Sequence, residues 1–155
     1  MLSRREHASS ELSARLGEQG FAAPLIELLI EELREERLLD DERYALQFVR
    51  ARAERGQGPR RIRMQLSETG LSDGLITRAL ETAPDFHAIA RALRRRRFGD
   101  EPPADWTERA RQSRFLQYRG FSNDHIASAF GNSAGDEPDA LDLSDAALSD
   151  DDTPP

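Results

Sequence analysis

Leu116-Gln117-Tyr118-Arg119-Gly120-Phe121-Ser122-Asn123-Asp124-His125-Ile126 is the last of three versions of one pattern, and its recurrence decides the fold. Fifty residues earlier stand Leu66, Gly70, Leu71 and Ile76, and fifty before those Leu16, Gly20, Phe21 and Ile26; Ile30, Leu80 and Phe130 extend the match. Self-similarity at a fixed period of this size is the mark of stacked supersecondary units, each too small to bury its apolar face alone. Position 112 departs from the pattern, with Gln112 where the earlier copies carry Leu12 and Ile62.

Each copy reads as an apolar-periodic helix, a stop, and a second helix. Gly20, Gly70 and Gly120 fall where the chain must turn left-handed to leave a helix, a conformation that costs glycine nothing. Pro24, the pair Ser72-Asp73 and the run Ser122-Asn123-Asp124 then supply first-turn or capping chemistry for the next helix. A further helix precedes the pair in the second and third copies. It is expected from about Asp41 to Arg55, with Tyr44, Ala45, Phe48 and Val49 buried, and from about Asp85 to Phe98, ending at Gly99. In the first copy only the stub Ser3–His7 occupies that place, too short to hold a helix unaided. The expected architecture is all-α: tandem three-helix repeats in an elongated, curved array. Repeat 1 spans 1–38 and lacks most of its first helix, repeat 2 spans 39–84, repeat 3 spans 85–130, and 131–155 is an acidic tail read as disordered.

Charge is distributed unevenly along the chain. Residues 1–43 carry 6 Arg against 11 Asp and Glu, residues 44–130 carry 16 against 10, and residues 131–155 carry 8 carboxylates and no base, giving −5, +6 and −8. A basic block between acidic ones points to a polyanion or an acidic protein face as partner, with the tail as an internal competitor for the same surface. No cysteine is present, so thiolate metal sites, disulfides and cysteine nucleophiles are excluded. The start of the chain lacks the apolar core of a signal peptide and no segment approaches a membrane span, which leads us to expect a cytoplasmic monomer without membrane contact.

Three separated segments resemble the RecX family of regulatory proteins. Leu38-Leu39-Asp40-Asp41-Glu42-Arg43-Tyr44-Ala45, followed by Val49-Arg50 and Arg52, is similar to that family's L-(D)D-x-x-Y-A signature. Arg114-Phe115-Leu116 through Arg119-Gly120-Phe121 to Ile126 is similar to its R-F-L-x-x-R-G-F motif, and Arg4-Arg5-Glu6 through Ser9 to Glu11-Leu12 to its opening segment. Together they cover residues 4–130 in the family's order. The resemblance implies a non-enzymatic protein that binds the RecA recombinase and limits filament growth on single-stranded DNA, ATP hydrolysis, strand exchange and coprotease activity. The acidic tail is outside the resemblance and inherits nothing from it.

No residue pattern demands catalysis or a cofactor. Asp40-Asp41-Glu42 could in principle hold a hard cation, but at a helix N-terminus carboxylates cap free amides and oppose the dipole, so Asp40, Asp41 and Tyr44 read as structural. His7, His87 and His125 are scattered, and Gly56-Gln57-Gly58 lacks the lysine and strand of a phosphate loop. The arginines remain. Arg50, Arg52, Arg55, Arg60, Arg61 and Arg63 form one group, Arg94, Arg95, Arg96 and Arg97 a second, and Arg109, Arg111, Arg114 and Arg119 a third. These groups read as the binding surface for RecA or for single-stranded or duplex DNA. Direct DNA binding without a recombinase is the alternative, since helix–turn–helix units also dock on duplexes. Four consecutive arginines span more than one helical turn, so at least one of Arg94–Arg97 is expected to turn inward.

Overall fold

The computed structural model describes residues 7–131. Eight helices and no strands occur among them: α1 (Ser9–Glu18), α2 (Ala23–Glu35), α3 (Asp41–Glu54), α4 (Pro59–Glu68), α5 (Asp73–Glu81), α6 (Phe86–Phe98), α7 (Trp106–Tyr118) and α8 (Asn123–Ala129). Among the described residues, repeat 1 contributes α1 and α2, repeat 2 α3–α5 and repeat 3 α6–α8. The Ser3–His7 stub falls mostly, and the acidic tail almost entirely, outside the described residues.

Local chemistry sets the boundaries. The carboxylate of Asp40 accepts from the Arg43 amide, Ser72 Oγ from Leu75, Asp85 from His87 and Ala88, and Asp105 from Glu108, each at the opening of a helix. Gly20, Gly70 and Gly120 take φ of +91°, +80° and +96°, so the recurrent glycine is a recurrent left-handed stop. Helix α2 ends without glycine. Arg37 adopts φ +58°, and the Leu38 amide closes the turn onto the Leu33 carbonyl at 2.9 Å.

Repeat 1 has its own small core, in which Ile26, Ile30 and Leu39 pack with Leu12, Leu16 and Leu33. Repeats 2 and 3 share a single core containing Tyr44, Val49, Ile62, Leu66, Ile76, Leu93, Leu116 and Phe121. The junction between the repeats explains that sharing. The Gly58 amide donates to the Arg119 carbonyl at 2.7 Å and the Arg60 amide to the Gly120 carbonyl at 3.0 Å. A Cβ on Gly58 would lie 2.3 Å from the Gly120 carbonyl carbon, and one on Gly120 would lie 2.5 Å from Arg61 Cβ. Two glycines 62 positions apart therefore let main chain meet main chain, which brings the first turn of α4 flush with the end of α7.

The same junction is built fifty residues earlier in looser form. Ala8, the counterpart of Gly58, is fully buried; Ser10 Oγ donates to the Thr69 carbonyl, and Gly70 lies against Ser10. Asp41 secures it from the other side: its carboxylate accepts from the Ser9 amide at 2.7 Å and Ser9 Oγ at 2.5 Å, and Arg34 reaches both residues. Asp40 thus caps its own helix, whereas Asp41 caps the preceding repeat. Among the described residues, a Cβ on Gly20 would meet nothing within 4 Å, so the stop turn of repeat 1 makes no such contact there.

In repeat 3 a histidine replaces an aliphatic residue. His125 Nδ1 lies 2.7 Å from Ser122 Oγ and accepts from the Ser122 amide at 3.3 Å; its ring meets that of His87 at 4.5 Å, and His87 Nδ1 lies 2.7 Å from Ser128 Oγ. Burial, His87 and Arg60 push the pKa of His125 below 6.5, while Asp124 and Asp85 pull it upward. The neutral ring is the folded form, so protonation opposes folding. Stability should be fully present above the unfolded value and decline as pH falls from about 7 toward 5, levelling off only below the depressed folded pKa. His125→Gln keeps an acceptor for the Ser122 amide but cannot titrate there. Urea midpoints at pH 5 and pH 7.5 should differ less for that variant than for the wild type, and equal differences would contradict the assignment.

Candidate functional site

The junction between repeats 2 and 3 also joins the three arginine groups. Arg60 and Arg61 occupy the first turn of α4 and are held against Arg119 and Gly120 by the two main-chain bonds above. The Arg61 guanidinium stands 5.8 Å from the ring centre of Tyr118, which is 49% exposed, so α4 and α7 present one continuous face. Next along α7, Phe115 is flanked by Arg119 at 5.6 Å and by Arg97, from the end of α6, at 5.8 Å. Phe115 meets Phe98 edge to face at 5.3 Å, and Arg111 covers Phe98 at 5.2 Å. Arginines distant in sequence are thereby interleaved with aromatic rings, which hold the guanidinium planes in place.

The arginines differ in what they already hold. Arg63 donates to Asp73 at 2.7 Å and to Thr77 at 3.0 Å, an ion pair between α4 and α5. Arg111 grips Glu108 through two bonds at 2.7 and 3.0 Å; together with Gln112 it lowers the Glu108 pKa to about 2. Arg95 lies 3.4 Å from Asp100. Arg52 covers Phe48 at 4.8 Å, and Arg109 stacks over Phe130 at 4.4 Å and lies 5.7 Å from Trp106. Arg50, Arg55, Arg60, Arg96 and Arg114 are exposed. Tyr44 is buried in the core of repeats 2 and 3 and takes no part in this face.

Arg94 must be withdrawn from the surface altogether. It is 5% exposed, its Nε donates to Gln112 Oε1 at 2.9 Å and one terminal nitrogen to the Glu101 carbonyl at 2.7 Å, and Phe130 covers it at 5.1 Å. The departure of position 112 from the repeat is the other half of this arrangement: Gln112, 3% exposed, replaces an aliphatic residue because it must receive a buried guanidinium. Arg94→Ala should destabilise repeat 3 by about 3 kcal/mol, since it strands Gln112 and the Glu101 carbonyl. Arg94→Met with Gln112→Leu should recover at least half of that loss in urea unfolding. Additive losses in the double variant would disprove the coupling.

Residues 40–80 match the family described as RecX, second three-helix domain, and residues 85–130 match RecX, third three-helix domain. The chain is 47% identical over 140 residues to the regulatory protein RecX of Halorhodospira halophila, covering 90% of this chain and 86% of that protein.

The chain belongs to the RecX family. It is also 41% identical over 138 residues to the regulatory protein RecX of Pseudomonas syringae pv. tomato, covering 88% of this chain and 89% of that one. In fold it resembles the crystal structure of RecX from Lactobacillus salivarius, with a TM-score of 0.74 at 23% identity over 84% of this chain and 87% of that one. Among the described residues of this RecX chain, no three His, Asp or Glu side chains gather as metal ligands, and no helix is long and apolar enough to cross a membrane.

Sequence reasoning singled out the arginines but not the rings against which they stand. Arg97-Phe98 and Arg114-Phe115 were visible as adjacent pairs, but the pairing that forms crosses between helices. The contact of Arg61 with Tyr118 depends on the junction, which no local pattern displays.

Proposed function

We propose that this RecX-family chain regulates the RecA recombinase by laying the arginine–aromatic face of repeats 2 and 3 on the RecA filament, where it inhibits filament growth, ATP hydrolysis, strand exchange and coprotease activity. The observation that carries the proposal is the junction itself, which joins exposed Arg60 and half-buried Arg61 of one repeat with Arg97, Arg111 and half-buried Arg119 of the next on one face. Such a surface spans more than one acidic site at once, so it suits a repeating polymer better than a small anion. The action needs no chemistry by this chain: a ligand that binds across neighbouring protomers shifts their addition and loss by mass action. The protein acts as a cytoplasmic monomer.

Direct DNA binding is the second reading. It is favoured by Tyr118, an exposed ring beside Arg61 and Arg119, because a base can stack on such a ring while guanidinium groups meet the phosphates. Co-sedimentation separates the two readings. The chain should pellet with RecA filaments on single-stranded DNA at about 150 mM salt, where its binding to the same DNA alone is largely screened. Equal recovery with and without RecA across the salt series would favour the DNA reading and contradict the proposal.

A further inference from the structure

The face shared by α4 and α7 is not only basic. Met64 is 58% exposed and follows exposed Arg60 by four residues, one turn along the same side of α4. Tyr118 is 49% exposed and follows exposed Arg114 by four residues on α7. Arg61, 5.8 Å from the Tyr118 ring, joins the two pairs. Guanidinium groups and apolar surface therefore alternate, and the peptide that complements them has carboxylates spaced among aliphatic side chains.

This chain contains such a peptide. Residues 139–152 read DALDLSDAALSDDD, with Leu141, Leu143 and Leu148 set among six carboxylates and no base. They lie outside the described residues, so exit point, reach and charge decide where they can act. The Phe130 ring stands 4.4 Å from Arg109 and 5.1 Å from Arg94, so the chain leaves its last helix beside α7. Five uncharged residues, Gly131 to Gly135, follow. From Arg109 to Tyr118 is about 14 Å along the helix axis, whereas the eleven residues from Phe130 to Leu141 can span up to about 36 Å. The rim of α7, and the first turn of α4 that abuts its end, are both within that distance.

Charge gives the contact its sign: residues 44–130 carry +6 and residues 131–155 carry −8. Tethering gives it strength. A segment held this close meets its site at an effective concentration of about 1 mM, so even a contact with a dissociation constant of about 100 μM is formed roughly nine-tenths of the time. We propose that residues 136–152 dock on the chain's own arginine–aromatic face, carboxylates against Arg60, Arg61 and Arg114 and leucines against Met64 and Tyr118, and compete there with an acidic partner. The docking stands on geometry and charge; its effect on RecA rests on the reading of this face given above.

The chain has no cysteine, so Ser144→Cys in the full-length protein offers one site for a nitroxide label. At about 20 mM salt the label should strip most of the NMR intensity from the amides of residues 60–64 and 114–118, and at about 500 mM salt most of it should return. The same label on a tail with all eight carboxylates changed to Asn or Gln reports what the tether does alone. Equal broadening by the acidic and the neutral tail, or broadening that persists in Arg60→Glu with Arg61→Glu, would overturn the inference. So would broadening of an unlabelled chain by a labelled one, which puts the tail on a second copy. In the RecA ATPase assay the neutral-tail protein should inhibit at about one-tenth of the wild-type concentration, the open fraction of the face. Equal potency would overturn the competition, whereas salt-sensitive broadening without inhibition by either protein would refute the RecA reading and leave the docking intact.

Discussion

Gly120→Ala lowers the stability of the joined repeats 2 and 3 by about 3 kcal/mol, whereas Gly20→Ala costs about 1 kcal/mol. Both glycines have the same left-handed backbone, φ +96° and +91°, so the strain of adding a Cβ there is common to the two. They differ in what stands outside. A Cβ on Gly20 would meet nothing within 4 Å among the described residues, while at Gly120 the new Cβ would lie 2.6 Å from Arg61 N and 2.5 Å from Arg61 Cβ. These atoms belong to the root of a helix and cannot swing aside. Relief requires repeat 3 to back away from repeat 2, which loosens the Gly58–Arg119 and Arg60–Gly120 bonds, each worth about 1 kcal/mol, and opens the core beside Leu116 and Phe121. Urea unfolding of the two variants compares them directly. Equal losses would mean that the junction is no closer than an ordinary surface contact.

Arg60→Glu with Arg61→Glu should weaken the action of this chain on RecA by tenfold or more, read as the concentration needed to slow ATP hydrolysis on single-stranded DNA. Reversing two charges on one face replaces attraction by repulsion toward an acidic or phosphate-bearing surface, and each close pair is worth on the order of 1 kcal/mol or more. The fold should survive, because Arg60 is exposed and glutamate retains the Cβ that Arg61 places against Gly120. Arg63→Gln supplies the contrast. Its guanidinium is spent on Asp73 and Thr77, so this change should touch stability slightly and inhibition little. If Arg63 proved as important as the Arg60–Arg61 pair, the division between internal and outward arginines would be wrong.

The fifty-residue repeat made most of the fold readable because its signals are local. A stop glycine, a capping serine or aspartate and an apolar stripe act within a few residues, and Gly70, Ser72 and Ile76 behave in the structure as their chemistry requires. What escaped depends on distance in the chain. Gly58 stood in the sequence only as part of Gly56-Gln57-Gly58, but its lack of a side chain serves Gly120. Arg37 ends α2 without glycine, held by the Leu38 bond to Leu33. Arg94 was half legible: Phe86, Ala90 and Leu93 define a stripe on which Arg94 also falls, and the unexpected Gln112 was its partner's signature. The arginine groups were visible in composition, but their fusion into one face was not, because it is produced by the contact of α4 with the end of α7.

The most direct measurement is the steady-state ATPase rate of RecA filaments on single-stranded DNA with this chain added below the RecA concentration. The account predicts a lowered rate at sub-stoichiometric amounts, restored toward the uninhibited value when the Arg60→Glu, Arg61→Glu variant replaces the wild type. A rate unchanged by the wild-type chain, or lowered equally by both proteins, would contradict it.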